Sequence, residues 1–205
     1  MPLSPIPIPD SITQLPIPGQ TEQLIDTAYE RIEAFMLSDQ EVIENFVNCD
    51  FHLIAQSIEW IFENHLLAGN RFCEWGCGFG VAAMLAAARG MESVGIEIES
   101  VLVEQCEDLA ELVDNAAEFY CGSFVPRDVP GLTDLAAEMK HVDVQEGDIY
   151  DEIGLSINDF DLFFAFPWPG EHEFFEAIFE ACAADGALLL TYRGREGTHL
   201  LRKVG

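Results

Sequence analysis

Apolar positions change their spacing near residue 70 of the chain. From there on, short apolar segments alternate with amphipathic helical ones, which is the pattern of βα units and a parallel sheet. A closing segment after a GREG turn is typical of a hairpin and adds an antiparallel strand. We therefore predict a doubly wound, mainly parallel α/β sheet with an antiparallel C-terminal edge strand. The predicted strands are RFCEW, SVGIEI, AEFYCGSF, DFDLFFAF, ALLLTYR and THLLRKV.

Between these strands the periodicity predicts helices over 81–89, 100–113 and 171–183. The first would end at Gly90, in the C-cap position. The second would turn Leu102, Cys106, Leu109 and Val113 inward. The least readable segment is 125–158, which holds a proline-rich turn, a helix candidate after Thr133 and a strand candidate, VDVQEGD.

Three helices are predicted before residue 70. The first covers 21–36, and the second runs from the S-x-x-E capping box at Ser38 to about Val47. The third is capped by Asp50 and turns Phe51, Ile54, Ile58, Ile61 or Phe62, and Leu66 inward. The first helix would present the apolar stripe Leu24, Ile25, Ala28, Ile32, Phe35 and Met36. Together they predict an N-terminal helical cap.

The first twenty residues have a composition of their own, because six of the ten prolines lie within residues 1–18. Such a segment is typically extended and has no core of its own. It is either a loose tail or a strap, and its isoleucines favour a strap on its own domain or on a neighbouring subunit. The predicted organisation is an arm (1–20), a helical cap (21–69) and a core (70–205).

Charge limits the possible partners. The 37 acidic and 9 basic residues give a formal charge of −28, which disfavours nucleic acid as a partner because nucleic-acid binding relies on Lys and Arg. The acidic surface either serves solubility or attracts cationic substrates or basic proteins. Four bases close to the C terminus, Arg193, Arg195, Arg202 and Lys203, are expected to pair with the acidic body.

Cysteine spacing and hydropathy indicate the compartment. The six cysteines lie scattered in apolar segments, so we predict reduced thiols and no metal site. No apolar run is long enough to span a membrane, and the first residues do not form a signal peptide. We expect a cytoplasmic protein with no membrane partner.

The stretch FCEWGCGFG leads from a strand into a glycine turn. Gly76, Gly78 and Gly80 let the backbone approach a ligand at the carboxyl edge of the sheet. The spacing is G-x-G-x-G, not the G-x-G-x-x-G of dinucleotide sites, and Glu74 ends the strand beside the turn. An acid suits a cationic ligand better than a diphosphate. S-adenosylmethionine fits such a site because it carries an ammonium and a sulfonium but no phosphate. A nicotinamide-dependent oxidoreductase is a weaker alternative for the function.

A second acid, Glu97, ends the second strand 17 residues beyond Gly80. A carboxylate at this position can accept hydrogen bonds from both hydroxyls of a ribose. Glu99 is a weaker candidate because helix capping explains it equally well.

With these motifs the sequence resembles the class I S-adenosylmethionine-dependent methyltransferases, and EWGCGFG, GIEIE, CGSF and FPWPGE are similar to a group of bacterial methyltransferase-like proteins. The resemblance covers about 72–192 and implies a seven-stranded Rossmann-like sheet. It assigns the glycine turn to the methionyl part and Glu97 to the ribose. Adenine would meet Ser123, favoured on spacing, or its rival Asp148. The usual sixth strand and its helix are expected to be missing, with the N-terminal helices covering the sheet instead.

The segment AFPWPGEH follows the fourth predicted core strand, where methyltransferases place groups that meet the methyl acceptor. Base-methylating enzymes carry [DNS]-P-P-[YFW] there, whereas this chain reads A-F-P-W, so base methylation is disfavoured. Trp168 would stack on the substrate or line the sulfonium channel, unless it belongs to the core. Glu171 and His172 are candidate general bases, or a first-turn acid and an exposed helix residue.

The sequence thus predicts a methyltransferase that acts on a small molecule or a protein side chain. The alternative is a non-catalytic protein that uses the same fold for binding or interaction. The oligomeric state stays open.

Overall fold

A computed structural model describes residues 3–38, 49–127, 129 and 148–205. Its centre is a seven-stranded sheet in the order β1-β7-β6-β5-β2-β3-β4. The strands are β1 (Leu3–Ile6), β2 (Arg71–Trp75), β3 (Glu92–Glu97), β4 (Glu118–Cys121), β5 (Leu162–Ala165), β6 (Leu188–Tyr192) and β7 (Thr198–Lys203).

Five strands, β2 to β6, run parallel. β2 lies in the middle, where Glu74 is paired with Gly95 of β3 and with Phe164 of β5. β7 runs antiparallel to β6 after the predicted hairpin. The prediction of a mainly parallel sheet with an antiparallel C-terminal strand is confirmed. The carboxyl ends of the parallel strands therefore share one edge, where ligands bind in such sheets.

The strand β1 was not expected from the proline-rich arm. It pairs antiparallel with β7, with Leu3 opposite Lys203 and Ile6 opposite Leu200, and so lies outside the predicted C-terminal strand. The sheet thus has seven strands, although the sequence led us to expect a missing one. Proline is tolerated here because an outermost strand needs hydrogen bonds on one side only. A 3₁₀ turn at Asp10–Gln14 follows and buries Ile12.

Helices cover both faces of the sheet. They are α1 (Gly19–Leu37), α2 (Phe51–Glu63), α3 (Val81–Ala88), α4 (Ser100–Leu112), α5 (Ile149–Ile153) and α6 (His172–Cys182). The first four contribute to the core on one face, and α5 and α6 contribute to the core on the other. The N-terminal helices therefore cover part of the sheet, as expected.

The first helix has the predicted stripe except at its end. Leu24, Ile25, Ala28 and Ile32 are buried, whereas Met36 is 58% exposed. Asp50 caps α2 as predicted, since its Oδ1 accepts a hydrogen bond from the Leu53 amide at 3.0 Å. The expected short helix up to Val47, the helix after Thr133 and the strand VDVQEGD (up to residue 147) lie outside the described residues.

The core on the α6 face contains a polar link among aromatic rings. Trp75 at the end of β2 packs against Phe163, with ring centroids 4.7 Å apart. Its Nε1 donates to the Tyr150 hydroxyl at 3.1 Å, and that hydroxyl donates to the Phe124 carbonyl at 2.9 Å. These bonds satisfy groups that would be costly to bury unpaired. They tie β2 to α5 and to the segment after β4.

Arg193 is one of the C-terminal bases that pairs with an acid, since its Nη2 lies 2.8 Å from Glu176 of α6. Arg202 and Lys203 instead donate to the backbone carbonyls of Leu66 and Ala183. The expectation of pairing with acidic side chains was therefore wrong for these two residues. All six cysteines carry free thiols.

Candidate functional site

The glycine turn joins β2 to α3 and has a left-handed backbone. Gly76, Gly78 and Gly80 have φ values of +67°, +56° and +68°. Gly80 has a second requirement, because a Cβ atom there would overlap the Phe119 ring of β4. Its carbonyl accepts the Met84 amide at 2.9 Å and so begins α3. Glycine is needed here for the backbone conformation and, at Gly80, for space as well.

Glu74 lies beneath this turn. Its side chain is 5% exposed, and Oε2 accepts a hydrogen bond from the Ala83 amide, in the first turn of α3, at 2.8 Å. Burial raises the pKa of Glu74 to about 8, with the Glu97 charge acting in the same direction and the Ala83 amide opposing it. The carboxyl group is therefore mainly protonated at neutral pH. A cation bound nearby would favour its ionised form.

Glu97 ends β3 and holds the glycine turn in place. The residue is 7% exposed. Its Oε2 accepts from the Gly78 amide at 2.8 Å, and its Oε1 accepts from the amides of Ile98 and Glu99 at 2.8 and 3.1 Å. Burial raises the pKa of Glu97, while these three amides lower it. Because a carboxylate offers about four acceptor positions, about one stays free for a ligand hydroxyl.

Two thiols also support the turn. Cys77 and Cys106 of α4 are buried, with their sulfur atoms 3.9 Å apart. The Cys106 thiol donates to the Gly78 carbonyl at 3.1 Å. Gly78 is thus held through its amide by Glu97 and through its carbonyl by Cys106. The sequence suggested only that these cysteines were core residues.

The two adenine candidates lie in one region beyond β4. Ser123 is buried, and its Oγ accepts from the Val125 amide at 3.3 Å. Asp148 caps α5 by accepting from the Tyr150 amide at 3.0 Å, and its Oδ2 accepts from the Arg127 amide at 3.4 Å. Ile149 packs directly over Gly122, the neighbour of Ser123. Separation in the sequence therefore does not separate the two candidates in space.

Glu99, the weaker ribose candidate, precedes α4. Its side chain is exposed and makes no capping hydrogen bond. The capping alternative is therefore not observed, and the residue contributes its backbone amide to Glu97.

The three predicted reacting residues follow β5 in one loop and the first turn of α6. Trp168 is half-buried, and its carbonyl accepts from the Glu171 amide at 2.9 Å. Glu171 is buried. His172 begins α6, and within the part of the chain that the structure describes its buried Nδ1 has no hydrogen-bond partner. Burial lowers the pKa of His172 and the nearby Arg193 lowers it further, so the imidazole is neutral at neutral pH.

Two aromatic rings at the carboxyl ends of β5 and β6 form a wall next to the cap, which we did not predict. Phe166 after β5 and Tyr192 at the end of β6 are half-buried, with ring centroids 4.9 Å apart. Burial raises the pKa of Tyr192, and the neighbouring Cys49, Asp50 and Tyr29 raise it further. These cap residues therefore lie beside the carboxyl end of β6. The rule that drew attention to Glu97 could have found both residues, because Phe166 ends the predicted strand DFDLFFAF and Tyr192 lies next to the end of ALLLTYR.

Cys49 links this wall to the glycine turn. Burial raises its pKa, and the charge of Glu74 raises it further. The Tyr29 hydroxyl donates to the Cys49 carbonyl at 3.2 Å and accepts from the Phe51 amide at 3.3 Å. The cap thus extends from the end of β6 towards the end of β2.

Two kinds of feature are absent from the described part of the chain. It contains no group of three or more His, Cys, Asp or Glu side chains arranged to hold a metal ion. None of its helices has both the length and the apolar character needed to cross a membrane.

Comparison with known proteins supports the fold. No family model matches the chain, and no curated protein matches it in sequence. A hypothetical protein of Thermus thermophilus has a similar structure, with a TM-score of 0.53 and 15% identity over 82% of this chain and 94% of that one. The chain has a Rossmann-like fold, with a mainly parallel seven-stranded sheet and helices on both faces. The prediction of this fold is confirmed.

Two further structures resemble the chain more distantly. An S-adenosylmethionine-dependent methyltransferase from Clostridium acetobutylicum has a TM-score of 0.49 and 11% identity, over 80% of this chain and 56% of that one. An RNA methyltransferase from Salinibacter ruber, in complex with S-adenosyl-L-homocysteine, has a TM-score of 0.47 and 16% identity, over 72% and 90%. The chain spans 47% of a structure from echinomycin biosynthesis. Identities at this level concern the fold alone.

Proposed function

We propose that this chain is an S-adenosylmethionine-dependent methyltransferase that transfers a methyl group in line to a small molecule or a protein side chain. The observation that carries the proposal is the contact between Glu97 and the Gly78 amide. It joins a buried carboxylate at the end of β3 to the glycine turn after β2. The sequence motifs and the Rossmann-like fold support the same function.

The residues around the turn fit this cofactor. Glu74 and Glu97 are acids, and a site with two buried carboxyl groups suits an ammonium and a sulfonium better than phosphates. Glu97 would accept a ribose hydroxyl at its remaining position, and a second hydroxyl would have to replace one of its amide bonds. Gly76, Gly78 and Gly80 would let the methionyl part approach the backbone. Ser123 or Asp148 would meet the adenine.

When bound, the cofactor supplies an electrophilic methyl group on a positively charged sulfur. The chain's own contribution is to align the acceptor with that methyl and to exclude water from it. Trp168 and the wall formed by Phe166 and Tyr192 would position the acceptor. Where the acceptor must lose a proton, the neutral His172 is able to take it, and the buried Glu171 is the second candidate base.

Calorimetric titration with S-adenosylmethionine and S-adenosyl-L-homocysteine tests the proposal. We expect binding in the micromolar range, weakened at least tenfold by Glu97→Gln. The matched control is Glu63→Gln, which removes one charge from an exposed side chain at the end of α2 and should leave the affinity unchanged.

Absence of binding in a folded protein would contradict the cofactor assignment. It would favour the alternative of a non-catalytic protein that uses this fold for interaction. A parallel titration with NADH tests the oxidoreductase alternative.

Exclusion of nucleic acid and a cytoplasmic location stay predictions. The charge of −28 supports both a non-nucleic acceptor and a soluble chain. A gel-shift titration with tRNA and single-stranded DNA at low salt tests the first. A shift below micromolar protein concentration would contradict it.

A further inference from the structure

Two aromatic rings are available at the acceptor end of the proposed site. Phe166 and Tyr192 follow neighbouring parallel strands, and their planes meet at 63° with centroids 4.9 Å apart. Both pack against the core on the cap side but remain half-exposed. The face of an aromatic ring carries partial negative charge. Such a face attracts cations.

Carboxyl groups flank this aromatic pair. Asp50 lies beside Tyr192. Its carboxyl group raises the pKa of the Tyr192 hydroxyl, and its backbone amide lowers it. On the other side of Cys49 lies Glu74, the buried acid under the glycine turn. Asp50 therefore lies beside the carboxyl end of β6, whereas the buried, mainly protonated Glu74 adds no charge there at neutral pH. The Asp50 Oδ1 caps α2 by accepting from the Leu53 amide.

Two basic side chains near the aromatic pair bind acids other than Asp50. Arg193 directly follows Tyr192, yet its guanidinium is bound to Glu176 of α6 at 2.8 Å. His52, which stacks on Tyr29, is bound to Glu22 at 3.0 Å. Burial raises the pKa values of both Tyr29 and Tyr192, so these phenols stay neutral and bring no charge of their own. Among the described residues, Arg193 and His52 are therefore paired with acids other than Asp50.

We infer that the methyl acceptor carries a cationic nitrogen, which binds between the Phe166–Tyr192 pair and the Asp50 carboxylate. The inference rests on the proposed function, because it names the class of acceptor for that site. It also gives the overall charge of −28 a role, since a negative field draws cations towards the protein. A carboxylate or phosphate at the same place would be repelled by the Asp50 carboxylate.

A pair of probes with the same shape tests the inference. Choline carries a quaternary ammonium, and 3,3-dimethylbutan-1-ol has the same shape without the charge. Both are titrated by NMR or calorimetry into the folded protein at constant ionic strength, with and without saturating S-adenosyl-L-homocysteine. We expect choline to bind at least tenfold more tightly than the neutral probe. Benzoate serves as the anionic comparison.

Three variants connect this preference to the proposed residues. Asp50→Asn keeps an oxygen for the α2 cap but removes the charge, and Tyr192→Leu removes a ring; each should bring choline close to the neutral probe. Glu63→Gln makes the same charge change at the exposed far end of α2, about 20 Å away. It should leave the preference unchanged. Folding of each variant is checked by circular dichroism and by affinity for S-adenosyl-L-homocysteine.

The outcomes separate the two proposals. Equal binding of choline and the neutral probe, or tighter binding of benzoate, would overturn the inference even if S-adenosyl-L-homocysteine binds normally. A preference for choline that Asp50→Asn leaves intact would overturn the assigned position. Failure of S-adenosyl-L-homocysteine to bind would instead count against the proposed function, while the titration of the cofactor-free protein still decides whether the wall recognises a cation.

Discussion

Glu74 should make the stability of this protein fall as the pH rises. Its pKa is about 8 in the folded chain, against an ordinary value of 4.5. The folded state therefore binds more protons than the unfolded state between these values. Stability from this group is fully present below pH 4.5 and is lost as the pH rises through about 8.

The magnitude follows from proton linkage. Each pH unit in that window removes about 1.4 kcal/mol from the free energy of unfolding. Between pH 5 and pH 8 the loss sums to about 3 kcal/mol, a large part of the stability of an ordinary domain. Solvent screens the Glu74 carboxyl group little, since the residue is only 5% exposed.

Urea unfolding of the wild type and of Glu74→Gln at pH 5, 6, 7 and 8 measures this term. Glutamine keeps an oxygen to accept the Ala83 amide but does not titrate. We expect the stability of Glu74→Gln relative to wild type to rise by about 3 kcal/mol across the series. Glu63→Gln, an exposed change, should run parallel to wild type. Parallel curves for Glu74→Gln as well would show that Glu74 is ionised in the folded protein and refute the reasoning.

Three further substitutions have expected effects on the free energy of unfolding measured in urea. Gly80→Ala should cost about 3 kcal/mol, against about 1 kcal/mol for Gly154→Ala, because both have a left-handed φ but only Gly80 faces the Phe119 ring; equal losses would remove the steric argument. Tyr150→Phe should cost about 2 to 4 kcal/mol by leaving Trp75 Nε1 and the Phe124 carbonyl unpaired, whereas Tyr120→Phe, which loses an exposed bond to Glu118, should cost less than about 0.5 kcal/mol. Gln56→Ala should cost about 1 to 2 kcal/mol and speed proteolysis of the arm, because its amide donates to the carbonyls of both Thr13 and Leu15; an unchanged cleavage rate would show that other contacts hold the arm.

Local sequence rules sufficed for the elements of the sheet that are buried on both faces. β5 and β6 are continuous apolar runs, and the turn after β2 carries its acid and its glycines within residues 74–80. Positions at strand ends could therefore be assigned before the sheet order was known. This is why the sequence drew attention to Glu74 and Glu97 and to Gly76, Gly78 and Gly80, and the structure brings the Glu97 side chain into contact with the turn.

Other features depend on contacts between distant segments. Proline content counts against a strand, so Leu3–Ile6 became part of the sheet only through its pairing with β7. Cys49 and Asp50 lie close to Tyr192 in the fold although they are far from it in the chain, and no local pattern marks them as neighbours. Met36 continues the apolar stripe of α1 but lies exposed at its end, because periodicity does not tell where packing stops.

The pairing of β1 with β7 has a consequence for how the chain folds during synthesis. Leu3 is synthesised long before Lys203, the residue opposite it in β7. The strand β1 therefore cannot pair until β7 has been made. Closing so long a loop costs chain entropy before any contact compensates for it. We therefore expect the outer strand to dock last, onto a sheet that has already formed. Until then β7 offers an open edge to any other strand nearby. The arm thus acts as the protein's own final cover for that edge, and its prolines make it a poor template for further strands.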